Sequence, residues 1–396
     1  MYLLIGIFAI IPLIFSHTFA RFWADFIIDN GIGHFESLKM HIFLLLLTFA
    51  WVEMMIQKWT KSKSFTTKKY PKIALFLSIL ILFIGIILYP HETLRDLFFG
   101  IWEKQHGLLL PLGLIWLGVL LSFLEKSEMR KISYTIVFAW SLVALVALIE
   151  SMGYNIFTWS SYEVQWNWWE VRSTSTLGNP NYVAWYLLMI LPILLGTIES
   201  RSKYILFVLI TTGIVATKSI IAMGILWGYI LFLLVERLYP KKTLSILPSI
   251  IAILSIGAYI FYYGTEKWLS LSSRFILMKH TLIGGFDSLS WIIFWDGPDA
   301  IIRLFSLERA GEIDAYFPPN MIVDSSHNIF IDFFSMYGLI GVGISITFLI
   351  SRWRYLDSTT KHGLILWLSF LSLNVFVIAH MMLLVFFLEL FRKEKI

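Results

Sequence analysis

The chain has 396 residues, of which 58% are hydrophobic and only 14% are charged, and its mean hydropathy is +0.77. A soluble domain carries roughly 25% charged residues, so the composition excludes an ordinary soluble protein and indicates an all-α polytopic membrane protein. The net charge of +5 and the absence of Cys give no case for a nucleic-acid partner, a disulfide or a thiolate metal site.

Apolar runs of the length that crosses a bilayer, about 17–25 residues, recur along the chain. We predict spans near 2–20, 38–57, 73–90, 107–124, 132–150, 181–198, 203–217, 219–235, 243–263 and 327–350, and a hairpin of two short spans within 364–391. The prediction is therefore about twelve transmembrane helices in a single integral membrane domain, residues 1–396, whose first span is retained rather than cleaved.

Lys and Arg are concentrated in alternate loops. Most of the 31 Lys and Arg residues lie at 58–72, 125–131, 199–203, 236–242, 351–363 and 392–396. The positive-inside rule places these segments, and hence both termini, in the cytoplasm. The segments 151–180 and 264–326 and the turn at 217–219 then lie on the outer side.

The outer loop 264–326, between the ninth and tenth predicted spans, is long for a compact protein, and such loops are usually functional or disordered. Its aromatic content argues against disorder. Helical spacing predicts a short amphipathic helix, lying on the outer membrane surface or packed over the spans, from Trp268, Leu271, Phe275, Met278 and Leu282.

The polar stretch 171–181, VRSTSTLGNPN, leads directly into an apolar run. Asn179 suits a helix N-cap and Pro180 the first helical position. A helix starting here presents N–H groups and a positive dipole end beside Arg172, which suits an anion such as phosphate. The plainer alternative is a capped transmembrane helix without a ligand.

A second stretch, Asp324–Asn328 (DSSHN), repeats this arrangement with a His before the next apolar helix. His327 is a candidate general base for a hydroxyl acceptor, because imidazole titrates near neutral pH. The alternative is that His327 only caps the helix that begins there.

The remaining candidates are cations on the predicted outer side. No ATP is present on the outer side of the membrane, so a transferase there needs an activated donor such as a lipid-linked pyrophosphate. The guanidinium of Arg binds two phosphate oxygens of such a donor at once. The cations that we single out in the three predicted outer loops are Arg172, Lys218, Arg274, Lys279, Arg303 and Arg309. Arg274 could instead be a surface residue of its helix, and Lys218 a snorkelling residue at a span end. Few ionisable residues lie within the predicted spans, which disfavours a transporter.

Two motifs resemble the O-antigen ligase/polymerase superfamily. The residues that resemble its R…TxGNPNxxA signature are Arg172, the stretch 176–181 (TLGNPN) and Ala184. The residues that resemble its HNxxL…xGLxG element are 326–328 (SHN), Ile331 and 337–341 (YGLIG). Weaker similarities, at Glu103…Gly107, Ser273–Arg274 and Gly297–Pro298, extend the match over roughly residues 90–345. The chain departs from the family's T-x-S-R turn, because Ile220 stands where Arg is common and Lys218 is the remaining cation.

The resemblance implies a GT-C-like, metal-independent, inverting glycosyltransferase without a cofactor. It would sit in the bacterial inner membrane and transfer a saccharide from an undecaprenyl-diphosphate-linked donor to an acceptor hydroxyl of a glycan, lipid or protein on the outer face. The implied catalytic residues are His327, Arg274 and Arg172, and the implied substrate-binding residues are Lys218, Ser219, Asn179, Asn181, Ser326 and Asn328. A polysaccharide polymerase and a protein O-oligosaccharyltransferase share these motifs, and a lipid-linked glycan flippase remains the alternative from another class.

Overall fold

The computed structural model describes residues 2–13, 35–60, 74–80, 82, 98, 107–153, 180–238, 265–285, 305, 326, 328–353, 356, 361, 364, 368 and 378–390. All regular structure in these residues is helical. The helices are α1 (Tyr2–Ile10, continued by a 3-10 turn at Ile11–Leu13), α2 (Phe35–Thr60), α3 (Leu109–Ser122), α4 (Lys126–Ser151), α5 (Pro180–Thr197), α6 (Ser202–Ala216), α7 (Ile220–Leu238), α8 (Thr265–Gly285), α9 (Ile329–Trp353) and α10 (Ile378–Leu390).

Three of the described helices are long and apolar enough to cross a membrane. The qualifying segments are Lys39–Ile56 of α2, Lys126–Ser151 of α4 and Pro180–Thr197 of α5. Shorter apolar helices are found at Leu109–Ser122, Ser202–Ala216, Ile221–Leu234 and Met381–Leu390. For the described residues, the prediction of an all-helical chain is confirmed, and three of its helices have the length and apolar composition of membrane spans. The number twelve stays a prediction, and the predicted span 243–263 lies outside the described residues.

The ends of α4 illustrate how local sequence sets the helix bounds. Glu125 and Glu128 form a capping box, in which the backbone N–H of Glu125 donates to Oε2 of Glu128 at 3.0 Å. Both carboxylates lie at the positive end of the helix dipole. At the other end Gly153 adopts φ 91° and its N–H donates to the carbonyl of Glu150 at 2.9 Å, a left-handed conformation that costs Gly little.

The first compact unit, unit 1, comprises Met1–Gly213 and Val377–Ile396. Within it α1 packs against both α2 and α4, α4 packs against α5, and α10 packs against α3. Trp140 of α4 stacks on Tyr186 of α5, and both side chains are buried. Gly213 lies so close to α4 that an added Cβ would be 2.8 Å from Cβ of Ala144. Small residues of this kind let membrane helices approach closely.

One exposed ion pair joins the start of α4 to the segment that follows α5. Nη2 of Arg130, in the second turn of α4, lies 2.9 Å from Oε1 of Glu199. Because both side chains are exposed, the pair adds little stability. It does show that the start of α4 and the end of α5 lie at the same end of this unit.

The second unit, unit 2, comprises Ile214–Phe376 and contains α7, α8 and α9, of which α8 packs against α9. Helix α9 is interrupted at Gly338, whose φ of 60° and ψ of −170° are not helical. This conformation is open almost only to Gly. The predicted span 327–350 is therefore two helical segments joined at Gly338 rather than one continuous helix.

Candidate functional site

The structure describes six of the nine predicted site residues. Arg172, Asn179 and His327 lie outside the described residues. Asn181 belongs to unit 1, as the second residue of α5, which begins at Pro180 as the sequence predicts. The other five predicted residues belong to unit 2; they are Lys218, Ser219, Arg274, Ser326 and Asn328.

The turn between α6 and α7 carries Lys218 and Ser219. Lys218 adopts φ 52°, and it is the one described non-Gly residue with a positive φ. Its N–H donates to the carbonyl of Val215 at 2.9 Å, so it closes the end of α6. Gly is the usual residue in this left-handed position, and a side chain there costs roughly 1–2 kcal/mol. The half-buried Lys218 therefore occupies this position although the left-handed backbone conformation is unfavourable for a residue with a side chain.

Ser219 is the N-cap residue of α7. Its carbonyl accepts the N–H of Met223 at 2.9 Å, which is the first hydrogen bond of the helix. Its own N–H donates to Oγ1 of Thr217 at 3.2 Å, and Ser219 is only 2% exposed. Ser219 thus shapes the turn, while Lys218 supplies the charge.

The start of α9 is built from three side chains that we call the 326–332 clamp: Ser326, Asn328 and Asp332. Oδ1 of Asp332 accepts both the N–H of Ser326 at 2.7 Å and its hydroxyl at 2.6 Å. Oδ1 of Asn328 accepts the N–H groups of Phe330 at 2.9 Å and Ile331 at 3.2 Å. Asn328 is therefore the N-cap of α9, a role that the sequence analysis leaves open for His327.

Two of the three clamp residues are buried, and the clamp residues bond one another. Ser326 is 0% exposed and Asp332 is 1% exposed. The hydroxyl of Ser326 also lies 3.2 Å from the carbonyl oxygen of Asn328, and the N–H of Asp332 donates to the same carbonyl at 2.8 Å. Both chain neighbours of residue 327 are consequently tied to the first turn of α9.

Helix α8 meets α9 at the clamp. Nδ2 of Asn328 lies 4.0 Å from Sδ of Met278. Arg274 precedes Met278 by four residues, which places both on one face of α8. That face also contains the buried residues Leu277 and Thr281. The half-buried Arg274 is thus one helical turn from the residue that touches Asn328.

The packed face of α8 differs from the predicted apolar stripe. A helix forms at the predicted place, but Phe275 of the stripe is 55% exposed, whereas Met278 is 8% exposed and Thr281 is fully buried. The sequence leaves open whether the stripe faces the membrane surface or the protein. The structure shows that the face with Leu277, Met278 and Thr281 is buried, while Phe275 is exposed.

Asp332 is the residue of this site that the sequence analysis misses. Its hydrogen bonds reach Ser326, six positions back in the chain, so they require the loop to fold back on the helix. The one available signal was an acidic residue in the first turn of a helix that follows a capping Asn.

Among the residues that the structure describes, no three His, Asp or Glu side chains lie together as metal ligands. The expectation of chemistry without metal or cofactor stays a prediction. Among the predicted site residues that the structure describes, unit 2 provides two cations, at Arg274 and Lys218, and hydrogen-bonding side chains at Ser219, Ser326 and Asn328. Comparison of the chain with protein-family models, with curated proteins and with solved structures gave no match.

Proposed function

We propose that the protein is a membrane glycosyltransferase of the O-antigen ligase kind. It transfers a saccharide from an undecaprenyl-diphosphate-linked donor to an acceptor hydroxyl on the outer face of the bacterial inner membrane. The observation that carries the proposal is the contact between Asn328 and Met278. This contact brings Asn328, the residue next to His327, to the face of α8 that bears Arg274, and His327 and Arg274 are two of the three residues that the resemblance marks as catalytic.

The proposed reaction is a displacement at the anomeric carbon of the donor sugar. The acceptor oxygen attacks this carbon, a new C–O bond forms on the opposite face, and the C–O bond to the diphosphate breaks. His327 takes the proton of the acceptor hydroxyl as general base. The lipid diphosphate leaves with the bonding electron pair.

The charge on the leaving group needs fixed cations. Arg274 suits this role, because a guanidinium stays protonated and binds two phosphate oxygens at once. Its half-buried place on α8 also lowers the solvent screening of that charge. Lys218, which belongs to the same unit as Arg274, would bind the same diphosphate.

The orientation is supported by the pair of Arg130 and Glu199. It joins the start of α4 to the segment after α5, and the Lys and Arg distribution assigns both to the cytoplasm. A polysaccharide polymerase or protein O-oligosaccharyltransferase would use the same groups with another acceptor.

The test is glycan transfer from a lipid-linked donor by purified wild type, His327→Ala and Arg274→Ala, with donor binding measured in parallel. We expect His327→Ala to lose transfer by about 10²–10⁴-fold, the usual contribution of a general base, and to keep donor binding. Arg274→Ala should lose both.

Lys279→Ala is the matched control, because Lys279 is an exposed cation on the same helix. Undiminished transfer by His327→Ala would remove this residue from the chemistry. A wild type that transfers to no acceptor but moves the donor across a bilayer would replace the proposal with the flippase alternative.

A further inference from the structure

Cations collect at the end of unit 1 where α4 begins and α5 ends. The pair of Arg130 and Glu199 brings the start of α4 and the segment that leads into α6 together at 2.9 Å. Five cationic side chains of these two segments are exposed or half-buried, and we call them the basic end: Lys126, Arg130, Lys131, Arg201 and Lys203.

The carboxylates of the same two segments are bonded within the protein. Glu125 and Glu128 form the capping box of α4, and Glu199 pairs with Arg130. Four of the five cations take no part in these bonds. The basic end therefore presents a surplus of positive charge, which attracts a negatively charged partner.

An exposed apolar stripe begins next to these cations on α4. Residues three or four positions apart share a helix face, and the exposed positions of α4 follow this spacing from Arg130 and Lys131 onward. The exposed apolar side chains are Tyr134, Phe138, Leu142 and Leu145. One face of α4 thus changes from cationic to apolar along its length.

Two exposed Tyr residues lie within one turn of the cations. Tyr134 follows Lys131 by three residues, and Nζ of Lys203 lies 5.3 Å from the ring centroid of Tyr204. Tyr is enriched at the interface between membrane and water. The cations are therefore at the depth of lipid headgroups, and the stripe of α4 extends from them into the hydrocarbon region.

The length of the stripe agrees with this depth. From Tyr134 to Leu145 the helix axis rises by about 16 Å, at about 1.5 Å per residue. One leaflet contributes about half of the roughly 30 Å hydrocarbon core. The stripe consequently matches the acyl region of a single leaflet.

We propose that the basic end and the apolar stripe of α4 together bind an anionic phospholipid. The lipid phosphate contacts Lys131, Arg201 and Lys203, and an acyl chain lies along the stripe. The cations select a negatively charged headgroup, and the stripe selects a lipid over a free phosphate ion. This interaction is separate from the proposed transfer reaction, whose described candidate cations, Arg274 and Lys218, belong to unit 2.

The experiment titrates the full chain, purified in zwitterionic detergent, with fluorescently labelled phosphatidylglycerol or phosphatidylcholine of identical acyl chains. The variants are Lys131→Gln, Arg201→Gln, Lys203→Gln and the triple variant. We expect the affinity for phosphatidylglycerol to fall about 5-fold for each cation removed and on the order of 10²-fold in the triple variant. The affinity for phosphatidylcholine should not change.

Two further variants separate the headgroup contact from other effects. Phe138→Ala shortens the stripe at an exposed position, so it should weaken the binding of both lipids. Lys279→Gln is the matched control, because Lys279 is an exposed cation of α8, outside the basic end. It should keep the wild-type affinity for both lipids.

Four outcomes would overturn the proposal. The first is equal affinity of the wild type for the two lipids. The second is an equal loss in Lys279→Gln and Lys131→Gln, because the effect would then be one of overall charge. The third is displacement of the labelled lipid by inorganic phosphate in excess, which would indicate a phosphate-ion site. The fourth is loss of binding only in variants whose thermal unfolding midpoint also falls, which would indicate a folding defect.

Discussion

Two helices of unit 2 begin in different ways. Helix α7 follows α6 after a turn of three residues, in which the N–H of Lys218 donates to the carbonyl of Val215 and the carbonyl of Ser219 accepts the N–H of Met223. Helix α9 follows the long predicted outer loop, and side chains of Ser326, Asn328 and Asp332 make the bonds at its start. The preceding helix fixes the direction of the chain into α7, so backbone geometry suffices. At the start of α9 the buried side chains of Ser326 and Asp332 fix the chain by their hydrogen bond.

The largest effect on stability is expected at Gly338, which separates the clamped start of α9 from the rest of the helix. Gly338→Ala forces an L-residue into φ 60° and ψ −170°, and such strain costs roughly 1–3 kcal/mol. The thermal unfolding midpoint of the purified protein should fall.

Gly343→Ala is the control in the same helix, because a Cβ there meets nothing within 4 Å. Its midpoint should stay the same or rise, since Ala favours a helix over Gly by roughly 1 kcal/mol. Equal midpoints for the two variants would show that the backbone conformation at position 338 does not require Gly.

A smaller effect is expected at the cap of α9. Asn328→Ala removes the acceptor of the Phe330 and Ile331 N–H groups, and loss of an N-cap costs roughly 0.5–2 kcal/mol. Asn328→Asp keeps that acceptor and loses only the donor to Met278. The midpoint should therefore fall in Asn328→Ala and stay near the wild type in Asn328→Asp. If Asn328→Asp unfolds as early as Asn328→Ala, the contact with α8 matters more than the cap.

The smallest effect, with the opposite sign, is expected at the start of α7. Lys218→Gly relieves the left-handed side chain and should raise the unfolding midpoint, by a stabilisation of about 1 kcal/mol. Lys218→Ala removes the same charge and keeps the strain. Both variants should bind the lipid-linked donor more weakly, and only Lys218→Gly should be more stable. Unchanged donor binding in both would leave Lys218 as a structural residue only.

Helix positions could be predicted from sequence because length and hydropathy report them directly. Helix α5 begins at Pro180 as predicted, and α4 covers the predicted span 132–150. The packed face of α8 could not be predicted, because hydropathy alone does not say whether an apolar stripe faces protein or lipid.

The residues of the candidate site also fall into those that could be predicted from sequence and those that could not. Ser326 and Asn328 stand in a recognisable motif, so the sequence analysis selects them. Asp332 could not be predicted, because its hydrogen bonds to Ser326 form only when the chain folds back on the helix. The backbone of Lys218 could not be predicted either, because a left-handed Lys has no signature in composition or spacing.

The contact between Met278 and Asn328 has a practical consequence for handling the segment 264–326. A fragment that ends at residue 326 would lack Asn328, which caps α9, and the carboxylate of Asp332, which bonds Ser326. In such a fragment, helix α8 would expose Leu277, Met278 and Thr281 in addition to Phe275, which is already exposed in the intact chain. Apolar residues would then surround the helix on several sides, which promotes aggregation. Antibodies or binding reagents against this region are therefore best raised against the intact chain in lipid or detergent.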